Sequence, residues 1–269
     1  MQDLKIAVLQ TPLFWEDPEA NRKMLEHKFG MLSSSPDLII LPEMFNTGFT
    51  VEAESSAEAT DGPTLAWMHE QALNKRCAIA GSLIIKDQGA HFNRFYFVYP
   101  DGSSSFYDKR HLFRMGGEHL RFSQGSQRTI IHYKGWKIMP MVCYDLRFPV
   151  WSKNNLLDGH HEYDILIYVA NWPAARANIW KSLLISRAIE NQAYVVGVNR
   201  IGKDGKQVEY TGNSMILDPE GSILAQAPTG EEKTISFTFS AVHLKNIREA
   251  FRVGLDWDQF SINIQGNIK

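Results

Sequence analysis

The sequence predicts a layered α/β fold with mixed strand pairing, and three observations carry that expectation. Apolar runs of strand length alternate with longer stretches at helical spacing, the pattern of layered α/β domains. An Asp101-Gly102 pair between two strand-like runs signals a hairpin and so antiparallel neighbours, whereas helical crossovers call for parallel ones. An internal echo relates Pro36-Asp37-Leu38-Ile39-Ile40-Leu41-Pro42-Glu43 to Tyr163-Asp164-Ile165-Leu166-Ile167-Tyr168-Val169-Ala170-Asn171. Each has an aspartate, an apolar strand and a polar residue at the strand's end, so the two are expected at equivalent places in two halves of a sandwich. Ligands collect at the carboxyl ends of strands in such folds, so Glu43 and Asn171 are expected to face one pocket.

The elements follow in order. The opening strand is Leu4-Lys5-Ile6-Ala7-Val8-Leu9-Gln10. Asp17-Pro18 then starts a helix with a cap and an N1 proline, carrying Met24, Leu25, Phe29 and Leu32 on one side. Gly62-Pro63 starts the next, through Leu65, Met68, His69 and Ala72. Continuous strands are predicted over residues 77–85 and 94–99, and the Asp-Gly turn leads into residues 103–107. The longest helix is predicted to run from Pro173 to about Gln192, burying Ile179, Leu183, Leu184, Ala188 and Ile189, ahead of a strand at Tyr194–Asn199.

Size and charge restrict the function classes. A chain of 269 residues with 44% hydrophobic content fits one α/β domain, residues 1–269, better than two small ones. Its 28 basic and 30 acidic residues give a formal charge of −2 without a basic run, which argues against a nucleic-acid partner. No run approaches the roughly 20 apolar residues that span a bilayer, so no membrane association is expected. Met1-Gln2-Asp3-Leu4-Lys5 leads straight into a strand without the pattern of a signal peptide. A chain this large has no need of a disulfide between Cys77 and Cys143, so a reducing, cytoplasmic location is expected.

Three strand exits deliver ionisable side chains. Met139-Pro140-Met141-Val142 leads to Cys143, Leu38-Ile39-Ile40-Leu41-Pro42 to Glu43, and Ser104-Ser105-Phe106-Tyr107-Asp108 to Lys109. Carboxylate, ammonium and thiol in this order resemble the catalytic residues of the nitrilase superfamily of carbon–nitrogen hydrolases. The resemblance covers nearly the whole chain, from the opening strand through Gly116-Gly117-Glu118-His119 to the strand Tyr210-Thr211-Gly212-Asn213-Ser214-Met215-Ile216-Leu217. Cys143-Tyr144-Asp145-Leu146-Arg147-Phe148-Pro149 is similar to the amidase branches, because true nitrilases usually place Trp-Glu after the cysteine. Within those branches the chain most resembles the omega-amidase group, which hydrolyses the side-chain amide of 2-oxo-dicarboxylate monoamides.

The resemblance implies a four-layer αββα sandwich of two mixed sheets flanked by helices, commonly paired as a homodimer, and no cofactor. It also implies chemistry for each residue. A free thiol titrates near pKa ~8.5, so Cys143 needs a base or a neighbouring cation to attack an amide. Glu43 is read as that base, later protonating the ammonia and activating water against a thioester. Lys109 is read as a stabiliser of the oxyanion together with the backbone N–H of Tyr144. Glu118 matches a second glutamate of the family and is assigned positioning of Lys109 or of the substrate amide. An omega-amide of an oxo acid carries a carboxylate, for which Arg147 and Arg176 are candidates. Phe45, Phe113, Asn171 and Trp172 lie in segments expected to wall the site, and the helix start at Trp172-Pro173 offers unpaired N–H groups.

Plainer readings stand beside these. A lone cysteine is more often a buried small hydrophobe than a nucleophile, and Cys77 keeps that reading. For Cys143, the joint placement of Glu43 and Lys109 decides otherwise. Asp145 and Arg147 are expected to form a local ion pair that fixes the turn. His111 or His119 as base to Cys143 would explain fewer motifs than Glu43 does. His160-His161 suggests a metal, but adjacent ligands without spaced partners make a weak site, and no metal is expected. Gly116-Gly117 lacks the spacing of a phosphate-binding loop. Phe251, Trp257 and Phe260 lie in a tail over residues 248–269 that packs either on its own subunit or across a dimer interface. The competing functions are another amidase of the superfamily, acting on a short aliphatic, carbamoyl or deaminated peptide amide, and a catalytically silent binding subunit.

Overall fold

Along the strand Leu4–Gln10, Leu4, Ile6 and Val8 pack into one core cluster while Ala7 and Leu9 pack into another. Alternation of this kind, with both faces covered, places a sheet between two other layers. The computed structural model describes residues 1–32 and 35–263 and shows those layers. The inner cluster joins two sheets face to face, with Phe95 and Phe97 from one and Trp136 and Ile138 from the other. The outer cluster packs the first sheet on helices Pro18–Gly30 and Pro63–Lys75 through Leu25, Phe29, Leu65 and Met68. Helix Ala177–Asn191 covers the second sheet with Trp180, Leu184 and Ala188. The result is an αββα sandwich of two mixed sheets flanked by helices.

The sheets repeat one another. The first runs Lys233–Phe239, Leu4–Gln10, Leu38–Ile40, Ala78–Asp87, Ala90–Val98, Ser104–Asp108, with the two-residue strand Glu58–Ala59 added alongside. The second runs Ile131–Tyr133, Trp136–Val142, Ile165–Ala170, Tyr194–Asn199, Met215–Leu217, Ile223–Gln226. In both, three parallel central strands are flanked by antiparallel neighbours.

The echoed aspartates explain the repeat physically. Lys5 N donates to Asp37 Oδ2 at 2.8 Å, Asp37 N donates to Lys5 O at 2.7 Å, and Ala78 N donates to Asp37 O at 2.8 Å. Around Asp164 the same three bonds recur: Lys137 N to Oδ2 at 3.1 Å, Asp164 N to Lys137 O at 2.8 Å, and Tyr194 N to Asp164 O at 3.0 Å. Each aspartate clamps three parallel strands where they start, so their carboxyl ends finish side by side.

Two expectations about elements are corrected. The long helix begins at Ala177, after a 3₁₀ turn at Ala174–Arg176, because Pro173 is extended (ψ 146°). Its buried face is Trp180, Leu184, Arg187, Ala188 and Asn191, while Ile179 and Ile189 are 37% and 51% exposed. Gly197 sets that rotation, since a Cβ there would lie 2.4 Å from Leu184 and 2.9 Å from Trp180, so these side chains sit directly on the strand backbone. The run 210–217 is not one strand. Gly212 (φ 72°) and Asn213 (φ 61°) turn the chain, so Glu209–Thr211 pairs with Ile201–Lys203 in a separate hairpin and Met215–Leu217 joins the second sheet.

Of the tail, residues 264–269 lie outside the described residues. Trp257 docks on its own chain, edge-on to His161 at 5.5 Å and with Lys153 Nζ 3.9 Å over its ring. Phe251 and Phe260 are 68% and 42% exposed. Among the described residues no helix is long and apolar enough to cross a membrane.

Candidate active site

The strand Trp136–Val142 ends on Cys143, whose φ of 44° is left-handed and strained for a residue with a Cβ. Asp145 holds that turn. Its carboxylate accepts from Val142 N (3.1 Å), from Tyr107 OH (2.8 Å) and from His111 N (2.8 Å), and meets His111 Nδ1 at 2.8 Å. The expected Asp145–Arg147 ion pair is therefore a misreading: Asp145 is fully buried and points back to the strand Ser104–Asp108 and the residues after it. Arg147 lies instead over the Trp172 ring, at 5.2 Å.

The structure brings Glu43, Lys109, Glu118 and Cys143 together. Glu43, at the end of the Leu38–Ile40 strand segment, and Glu118 are both 0% exposed, and Lys109 is 1% exposed. Lys109 Nζ bridges the carboxylates, 2.9 Å from Glu43 Oε1 and 2.9 Å from Glu118 Oε2. Glu118 Oε2 also accepts from Phe113 N at 2.6 Å. Glu43 Oε2 accepts from Asn171 N at 2.8 Å, so the two residues singled out by the internal echo meet across the seam between the sheets.

Sequence reasoning missed Asn93. It is fully buried, and its amide Nδ2 donates to Glu43 Oε1 at 2.8 Å and to Glu118 Oε1 at 3.2 Å. The available signal was a lone amide inside the strand Ala90–Val98, whose start the sequence placed four residues too late, at Arg94.

Burial, then the negative charge of Glu43, pushes the Cys143 thiol well above its usual range; Lys109 opposes this and Glu118 adds to it. Among its charged neighbours Glu43 thus outweighs Lys109, and the resting cysteine is a thiol rather than a preformed thiolate. For Lys109, burial disfavours the ammonium, and the carboxylates of Glu118 and Glu43 more than offset it, holding the amine above its ordinary value. Burial raises Glu118, with Lys109 pulling the other way.

Above the thiol opens a cavity of about 400 Å³. Phe113, Tyr144, Arg147, Asn171, Trp172 and Arg176 line it together with Lys109 and Cys143. Phe49, Asp204, Lys206 and Tyr210, which the sequence did not suggest, line it too. Arg176 sits 5.5 Å over the Phe113 ring, and neither Arg147 nor Arg176 has a carboxylate partner among the described residues. Asp204, the acidic residue in the lining, is spoken for: its Oδ1 accepts from Lys206 N and Val208 N, and its Oδ2 from Tyr210 OH.

Phe45 does not wall the site. Met44 takes a left-handed φ of 44°, which sends the Phe45 ring to the outer core, where it packs 6.1 Å from Trp67 and close over Gly81. His111 stacks on Phe148 at 3.8 Å and is engaged by Asp145, and His119 is not in the cavity lining. His160–His161 forms a two-residue strand against Leu156–Leu157. Among the described residues no group of His, Cys, Asp and Glu converges as a metal site.

A two-sheet αββα sandwich carrying cysteine, lysine and paired carboxylates at its strand ends has the build of an enzyme that cleaves carbon–nitrogen bonds. The chain belongs to the carbon–nitrogen hydrolase family, whose model matches residues 5–249. It is 44% identical to the omega-amidase YafV of Escherichia coli (strain K12), over 97% of this chain and 100% of that protein. It is 34% identical to the 2-oxoglutaramate amidase of Bacillus subtilis, over 86% of this chain and 88% of that one. Among solved structures, XC1258 of Xanthomonas campestris, a CN-hydrolase superfamily protein crystallised with an arsenic adduct in its active site, superposes with a TM-score of 0.95. That match has 43% identity and covers 98% of this chain and 100% of that one. The chain is a hydrolase acting on carbon–nitrogen bonds other than peptide bonds, in linear amides.

Proposed function

We propose that the chain is an omega-amidase, converting 2-oxo-dicarboxylate monoamides such as 2-oxoglutaramate and 2-oxosuccinamate to the 2-oxo acid and ammonia through a cysteine thioester. One observation carries this reading. The cavity above Cys143 holds two guanidinium groups without carboxylate partners among the described residues, Arg147 and Arg176, while both oxygens of its acidic residue Asp204 are already hydrogen-bonded. Such a lining favours a substrate with a carboxylate and no ammonium, which separates a 2-oxo acid amide from glutamine. The omega-amidase and 2-oxoglutaramate amidase relatives support the same choice.

The steps follow from the geometry. As Cys143 Sγ attacks the amide carbonyl, its proton passes to Glu43, because a thiol raised by burial must lose that proton during the attack. The oxyanion of the tetrahedral intermediate is held by Lys109 Nζ and the backbone N–H of Tyr144, donors of a kind worth roughly 3–4 kcal/mol each. Glu43 returns the proton to the amide nitrogen, the C–N bond breaks and ammonia leaves. Glu43 then takes a proton from water as its oxygen attacks the thioester, and collapse of the second intermediate regenerates the thiol and the acid. Glu118 keeps Lys109 aimed between the two carboxylates.

This enzyme is a single carbon–nitrogen hydrolase domain over residues 1–269, cytoplasmic and paired as a homodimer. Two unpaired cysteines suit a reducing compartment, and the exposed Phe251 and Phe260 suit a covering subunit. Light scattering of the purified chain at a dimer mass supports the pairing, and a monomer mass rejects it.

The test of function is ammonia release from 2-oxoglutaramate beside glutamine and an aliphatic nitrile, with wild type and Cys143→Ala in parallel. Release from the oxo-amide alone, lost in the variant, supports the reading. No release from the oxo-amide with turnover of another amide rejects it.

A further inference from the structure

Two buried carboxylates share one ammonium in this site, and Lys109 cannot neutralise both. Like charges held this close drive a proton onto one of them unless other groups hydrogen-bond the charged forms. Asn93 is such a group. One amide nitrogen donates to Glu43 at 2.8 Å and to Glu118 at 3.2 Å, and its two N–H bonds serve one carboxylate each. Its Oδ1 has no partner among the described residues although it is buried, so the side chain is oriented for its donors. The backbone adds a further tie, with Lys109 N donating to Asn93 O at 2.9 Å.

We propose that Asn93 is a positioning residue of the reaction, whose bridging amide fixes Glu43 against the thiol and keeps it in its proton-accepting form. An amide suits this place because it supplies two donors without a second positive charge, which would compete with Lys109 for the carboxylates. The remaining groups facing Glu43 are Glu118, Lys109 and Cys143, with Tyr144, Arg147, Arg176, Asp204, Lys206 and Tyr210 around the cavity. The proposal rests on the roles given above to Glu43 and Cys143 and does not depend on which amide is the substrate.

The test therefore uses thiol alkylation. Iodoacetamide modification of Cys143 is followed against pH in wild type, Glu43→Gln, Asn93→Leu and Asn93→Ala, with peptide mass spectrometry scoring Cys77 separately. Wild-type reactivity should fall on the acid side, and Glu43→Gln should lack that limb. If Glu43→Gln keeps the limb, the role of Glu43 fails and Asn93 falls with it. Asn93→Leu should move the limb upward by about half a pH unit or more, because the charged carboxylates lose their donor. In the amide assay the same variant should lose roughly tenfold or more in kcat, with KM changed far less. An Asn93→Leu limb superimposed on wild type overturns the proposal, even if the variant melts lower. Should that variant not fold, Asn93→Ala decides by the same criterion, since it removes the bridging donors without adding a third carboxylate.

Discussion

Asn171 and Glu43 fasten the two sheets to one another at the thiol: Asn171 N donates to Glu43 Oε2 at 2.8 Å, and Asn171 Nδ2 donates to the Glu43 backbone carbonyl at 2.6 Å. One residue ends the second strand of its sheet's parallel core and the other ends the corresponding strand of the other sheet. The base is thus held by both halves of the sandwich. The same residue reaches the nucleophile, since Cys143 Sγ lies 3.9 Å from Asn171 O.

Asn171→Ala keeps the backbone donor and deletes the side-chain tie. A buried carbonyl that loses its partner costs about 1–3 kcal/mol, so thermal melting should fall by several degrees. The Glu43 carboxylate, no longer pinned through its main chain, should lose roughly tenfold in kcat, measured with whichever amide is turned over. Unchanged kcat would mean that the backbone bond to Oε2 suffices.

The thiol links stability to alkaline pH. Burial raises the folded-state value of Cys143 above its ordinary one, so the neutral form is the one the fold favours. The sign follows: this contribution is fully present below the ordinary thiol range and is lost as pH rises past it. Wild type should therefore lose melting temperature between about pH 8 and 10 more steeply than Cys143→Ala, compared by calorimetry. The difference between the two chains isolates this thiol from the buried tyrosines Tyr107, Tyr163 and Tyr168, which shift in the same direction.

His161 gives the opposite slope. Burial, helped by Arg248, Lys137 and Lys153, pushes its imidazole down to about 3, so the neutral ring is what packs edge-on against Trp257. A depressed value adds stability above the ordinary histidine range and loses it as pH falls below about 6.5. Wild type should loosen around Trp257 on acidification, seen as a change in tryptophan fluorescence before global unfolding. His161→Phe should hold that signal to lower pH. Coincident acid transitions in both chains would show that the imidazole does not control the docking.

Two strand exits were readable because polarity changes abruptly where an apolar run ends, at Glu43 and Cys143; Lys109 follows a strand that already ends on Asp108 and was readable by its order between them. The Asp37 and Asp164 echo was readable for a similar reason, and it reported the repeat of the two sheets. What stayed hidden depended on backbone conformation and on contacts far along the chain. The left-handed turn at Met44 turns Phe45 away from the cavity onto Gly81, and nothing in the spelling of Pro42-Glu43-Met44-Phe45 signals it. Asp145 reads as a partner for Arg147 two residues on, yet its donors come from Val142, Tyr107 and His111. Asn93 was a clue in plain view, a fully buried amide in a strand whose Phe95 and Phe97 serve the core.

Substrate selection should separate from thiol chemistry at Arg147 and Arg176. Both guanidinium groups lie over aromatic rings, Trp172 and Phe113, which orient their planes while leaving their N–H edges free of carboxylates. A charge-assisted bond to the substrate carboxylate contributes about 1.5–3 kcal/mol, so replacing either arginine by methionine should lower kcat/KM for 2-oxoglutaramate roughly 10- to 100-fold. The loss should appear mainly in KM, because the carboxylate interaction is the same in ground and transition states. Alkylation of Cys143 by neutral iodoacetamide should stay within about twofold of wild type, since neither arginine takes part in thiol deprotonation. If Arg176→Met leaves KM unchanged and Arg147→Met raises it, the carboxylate lies on the Trp172 side of the cavity; the reverse result places it beside Phe113.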